Sequence, residues 1–223
     1  MKLSAKRIAF ILAIYFAGYV YLYQLVLGEY IYEHLGRFWY FTADYIAYPA
    51  FMILLIIAGG RWLYEQWDIF TGSLFRNIFS ALKTVFLLYA VNILLSLALL
   101  PFGLEEAENQ VNNDLYMQNA LPAFLIGSII FAPFAEEIVF RGCLCSSFGR
   151  KHFSAGALLS ASVFGFMHIS ASLLAGNYIN AMYFIVYASL GLVLALPQRK
   201  TGTVFTGVCA HMIYNLTAVL LSL

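Results

Sequence analysis

Seven apolar runs, at 8–27, 39–59, 78–100, 121–148, 155–174, 178–196 and 204–223, are separated by short stretches that hold most of the charge. A helix of about 20 residues spans a hydrocarbon core about 30 Å thick. Inside lipid a chain must satisfy its own backbone donors and acceptors, and isolated runs of this length do so as helices. The expected fold class is therefore all-α: a polytopic membrane helix bundle of about seven transmembrane helices. Composition agrees, since 63% of the chain is hydrophobic and only 10% charged, where a soluble domain carries about 25% charge.

Short connections leave no room for a soluble domain, so the chain reads as a single membrane domain over 1–223. Three spans and an acidic loop occupy 1–120, and four spans occupy 121–223. The first run is too long for a signal-peptide core and reads as an uncleaved span. Placing the N-terminus in the cytoplasm puts Lys2, Lys6, Arg7, Arg61, Arg76, Lys83, Arg150, Lys151, Arg199 and Lys200 on one side, as the positive-inside rule requires. The other side receives Arg37 and the acidic loop with Glu105, Glu106, Glu108 and Asp114. The expected location is a cell membrane, crossed several times, in a bacterial setting. The partners are the lipid bilayer and a peptide or membrane-protein substrate. A net charge of +1 gives no basic stripe for nucleic acid. Cys143, Cys145 and Cys209 read as free thiols. The polar stretch from Glu29 to Arg37 reads as a loop, 61–75 as an interfacial segment, Pro133 as a kink, and Pro197 to Lys200 as a separator. Asn92 and Asn180 read as packing groups, and Tyr178, Tyr183 and Tyr187 as belt or packing residues.

One run departs furthest from the pattern. Within 121–148 the only charged residues are Glu136, Glu137 and Arg141, and ionisable groups at bilayer depth persist only when paired or functional. Glu137 and Arg141 are four apart and can pair along one helix face. Glu136 is turned about 100° away and is free to exchange a proton. Three more polar groups lie in later runs: His168, His211 and Asn215. At about 1.5 Å per residue from the nearest basic residues, Glu136 and these three fall about 16–25 Å deep, in one slab. Phe164 is four residues before His168 and can pack on its ring. A carboxylate and an imidazole can hold and deprotonate a water, and a second imidazole with an amide can donate to an oxyanion. The constellation suits hydrolysis of a peptide bond.

The same residues form three motifs. Glu136-Glu137-Ile-Val-Phe-Arg141 resembles EExxxR, Phe164-Gly-Phe-Met-His168 resembles FxxxH, and His211-Met-Ile-Tyr-Asn215 resembles HxxxN. Unaltered and in order, they make the C-terminal half similar to the CPBP family of intramembrane proteases, also called the abortive-infection or Rce1-like family; residues 1–120 carry no motif. The resemblance implies an intramembrane endopeptidase in which Glu136 and His168 activate water, His211 and Asn215 form the oxyanion site, and Glu137, Arg141 and Phe164 support them. It implies a glutamate-dependent mechanism without a cofactor, favoured over a zinc enzyme whose ligands would be Glu136, His168 and His211. Two His with a Glu would suit a three-ligand catalytic zinc, but no HExxH pair is present. The alternative is a non-catalytic membrane binding or bacteriocin-immunity protein of the same fold.

Overall fold

The computed structural model describes residues 3–104 and 106–222; Lys2, Glu105 and Leu223 lie outside the described residues. Among the described residues seven helices are long and apolar enough to cross a membrane: α1 (Ala5–Leu35), α2 (Arg37–Thr71), α3 (Leu74–Phe102), α4 (Glu108–Cys145), α5 (Arg150–Leu174), α6 (Tyr178–Thr201) and α7 (Phe205–Ser222).

Several boundaries differ from the sequence expectation. The polar stretch after the first run is not a loop: α1 continues to Leu35, and Gly36 alone, at φ 88°, turns the chain into α2. Glycine tolerates that backbone and other residues rarely do. The segment 61–75 mostly continues α2 to Thr71, past a break at Gly60 with φ 49°. The break leaves carbonyls without helical partners, and the Arg7 guanidinium donates to two of them, Ala58 at 3.4 Å and Gly59 at 2.8 Å. Nor does Pro133 break α4. The non-helical residue is Ala120, two before Pro122, while around Pro133 the helix widens into π turns over Ile126–Phe131 and Glu137–Cys145. Such widening relieves the clash between the proline ring and the preceding turn. Pro197 does not separate two spans either, because α6 runs through it and ends at Gly202, φ 80°, a left-handed C-terminal cap.

α4 lies at the centre. Phe131, Ala135, Ile138, Val139 and Phe140 are each at most 1% exposed. α6 packs against α5, α3 and α7. The α5–α6 contact uses small residues, which let the backbones approach. A Cβ on Gly165 would stand 2.9 Å from the Ala188 nitrogen, and one on Gly191 would stand 3.1 Å from Ala161 Cα. Large apolar side chains such as Ile57, Phe75, Phe86 and Leu94 point outward from α2 and α3, where lipid would cover them.

Gly165→Ile drives a branched side chain into the Ala188 backbone. It is expected to cost about 1–3 kcal/mol, read as a lower midpoint of unfolding in detergent, whereas Gly165→Ala should cost less.

Candidate active site

α4 brings its second glutamate into a fully buried position. Glu137 and Arg141 are both 0% exposed and pair at 3.0 Å. The same Glu137 oxygen, Oε1, lies 3.3 Å from His211 Nδ1 on α7. Arg141 Nη2 donates to the Gly191 carbonyl at 2.8 Å, and the guanidinium lies 4.9 Å from the centroid of the Phe164 ring. Glu137 therefore joins α4 to α7 while Arg141 joins α4 to α6 and α5. Gly207 makes room for this: a Cβ there would fall 2.7 Å from Glu137 Oε2. The sequence pointed to the Glu137–Arg141 pair, but only the fold reveals that the carboxylate also fixes His211.

His168 is held on both faces and at one edge. Its Nδ1 lies 2.9 Å from the Phe164 carbonyl, one turn back on α5. A carbonyl only accepts, so Nδ1 carries the hydrogen, and the neutral ring keeps its lone pair on Nε2. Phe164 packs on the imidazole at 4.3 Å between centroids, and Tyr187 from α6 stacks on it at 4.6 Å. Tyr187 thus does more than furnish a belt. No motif spacing connects it to His168, since the contact crosses from α6 to α5.

Glu136, His168, His211 and Asn215 all line one cavity of about 690 Å³, together with Phe164. Glu136 is half-buried. One amide hydrogen of Asn215 goes to the Ser128 carbonyl at 2.7 Å, which orients the side chain and leaves the second amide hydrogen for another acceptor. A further polar cluster that the motifs do not mark reaches the cavity through two tyrosines. Asp44, 3% exposed on α2, accepts from Tyr23 at 2.6 Å and from Tyr116. Tyr48 lies 3.3 Å from the Tyr116 hydroxyl, and both tyrosines line the cavity. A carboxylate inside the run 39–59 was the available signal; its tyrosine partners come from α1, α2 and α4 and have no common spacing. Asn92 also lines the cavity, while Asn180 is structural and accepts from the Glu108 backbone N–H at 3.1 Å. Cys143, Cys145 and Cys209 are free.

Among the described residues no three His, Cys, Asp or Glu side chains gather so as to hold a metal ion. Each imidazole already commits Nδ1, to Phe164 or to Glu137. Both rings leave Nε2 open toward the cavity that they line.

Residues 117–217 match the family model described as Type II CAAX prenyl endopeptidase Rce1-like. The segment is thus similar to that family over less than half of the chain. It contains all four cavity residues singled out by the motifs, while Tyr48 and much of the remaining cavity wall lie outside the matched segment. The chain is also 24% identical over 123 residues to a Bacillus subtilis (strain 168) protein named "Putative membrane peptidase YdiL"; the match covers 55% of this chain and 46% of that protein. The chain thus spans less than half the length of the curated relative it matches. No solved structure matches.

Removing one partner of the buried Glu137–Arg141 pair leaves the other charge uncompensated. Arg141→Met is expected to destabilise by about 3–5 kcal/mol. Adding Glu137→Leu in the same chain should recover part of that loss, measured by unfolding in detergent.

Proposed function

We propose that this multi-pass membrane protein is an intramembrane endopeptidase that hydrolyses a peptide bond within or near the membrane, using Glu136 and His168 to activate water. The observation that carries the reading is the convergence of Glu136, His168, His211 and Asn215, from three helices, on one cavity. The Rce1-like match over 117–217 supports the same class of chemistry.

The residues suit the steps of a hydrolysis. With Nδ1–H given to Phe164, His168 offers Nε2 as an acceptor for water, and Glu136 takes the proton as the water oxygen attacks the peptide carbon. Negative charge then develops on the carbonyl oxygen. Asn215 donates its second amide hydrogen to that oxygen, and His211 donates from Nε2 when both of its ring nitrogens are protonated. Glu137, 3.3 Å from His211 Nδ1, holds the ring in place and balances its charge. Donors fixed in advance in a dry site stabilise such an oxyanion more than water does. Glu136 returns the proton to the departing amine as the C–N bond breaks.

The mechanism is proposed to run without a metal. If zinc were bound by Glu136, His168 and His211, it would polarise the water and the carbonyl, with both imidazoles binding through Nε2 while Nδ1 keeps its present partner. The substrate is a peptide or membrane-protein segment in the bilayer.

Glu136→Gln and His168→Ala should each lower cleavage by about 10²–10⁴-fold while the protein still inserts. The measurement compares peptides released from membranes of cells making wild-type or variant protein. Unchanged release from the Glu136→Gln variant rules the reading out; a peptide bound but never cut by the wild type points to the binding protein instead. Loss of activity in a chelator, restored by zinc, would overturn the metal-free mechanism.

A further inference from the structure

The cavity is lined asymmetrically along the bundle. Its deep end is made by Glu136, Phe140, Leu194 and His211, and its other end by Ser96, Glu106, Asn113, Asp114 and Ser222. Ser96 is late in α3, Ser222 ends α7, and Glu106 to Asp114 form the α3–α4 connection and the start of α4. All of these belong to the end of the bundle where α1 meets α2, α3 meets α4 and α5 meets α6. None of the lining residues falls in 61–76, 141–163 or 195–210, the segments around the connections at the opposite end. There the fully buried Glu137 and Arg141, with Cys143 and Cys145 behind them, close the protein.

Charge separates along the same axis. The closed end carries Lys6, Arg7, Arg61, Arg76, Arg150, Lys151, Arg199 and Lys200. At the open end, among the described residues, the single Lys or Arg is Arg37, which donates to Asn119 at 2.7 Å. Carboxylates Glu29, Glu33, Glu106, Glu108 and Asp114 share that end. Lysine and arginine in short loops are retained on the cytoplasmic side, so the closed end faces the cytoplasm and the mouth faces away from it.

We infer that the cavity is entered from the extracytoplasmic side, and that its substrates are extracytoplasmic segments of membrane-anchored or exported polypeptides rather than cytosolic tails. The inference takes its chemistry from the peptidase reading, but its side from lining and charge alone. The two can therefore fail separately.

Single cysteines test the side without any substrate. Asn113→Cys places a thiol in the mouth, and Ser154→Cys, exposed at the start of α5, places one at the closed end; the unsubstituted chain sets the background of the native thiols. Right-side-out and inside-out membrane vesicles are treated with a membrane-impermeant maleimide, and the thiols left are then counted with a permeant one. Asn113→Cys should lose most of its later signal in right-side-out vesicles, and Ser154→Cys in inside-out vesicles. The reversed pattern, or equal labelling from both sides, overturns the inference and leaves the peptidase reading standing. In a second arm the same cleavable segment is fused to either end of one membrane anchor. Cutting confined to the extracytoplasmic copy is expected. Cutting of the cytoplasmic copy contradicts the inference, and cutting of neither, with the labelling pattern as expected, contradicts the peptidase reading.

Discussion

The buried carboxylate of Glu137 is the interaction on which the rest depends. Nothing near it is solvent, so its charge must be balanced by protein, and Arg141 at 3.0 Å does so. An ion pair like this is costly to bury and costlier to break than it is stabilising to form. Its presence in a fully enclosed position is better explained by what it positions. Glu137 fixes His211, Arg141 reaches the Gly191 carbonyl and the face of Phe164, and Phe164 in turn packs on His168 and accepts its Nδ1–H. One carboxylate therefore sets the placement of both imidazoles, from two different helices.

The unpaired neighbour follows from helix geometry. Adjacent positions on a helix point about 100° apart, so a chain that buries Glu137 against α7 turns Glu136 toward the cavity. The buried rings of Phe140 and Phe164 at the deep end of the cavity lower the local polarity, which strengthens whatever electrostatic interactions the site makes.

How much of this the sequence disclosed depends on how local each contact is. The seven spans were legible because runs of about 20 apolar residues have few other fates. Glu137 with Arg141, and Phe164 with His168, were legible because each pair lies one turn apart. Span ends were less so. Gly36 and Gly60 act through backbone angles rather than polarity, and the strain of Pro133 is absorbed by π turns instead of a kink. Contacts between distant segments were not legible at all. Tyr187 on His168, the Ser128 carbonyl on Asn215, Gly207 against Glu137, and the tyrosines around Asp44 join helices whose order in the chain says nothing of their contact. The cavity wall belonging to α1, α2 and α3 was hidden for the same reason: that half of the chain carries no motif.

The central claim is that Glu136 and the two imidazoles converge on one reacting carbonyl. The most direct test is an experimental structure in a lipid mimetic with a peptide phosphonate, whose tetrahedral oxygens imitate the hydrolytic intermediate. The account predicts one phosphonate oxygen within hydrogen-bond distance of Glu136 and His168, about 2.6–3.2 Å, and a second on His211 and Asn215. A phosphonate bound elsewhere, or a Glu136 carboxyl turned toward lipid with the inhibitor in place, would contradict it.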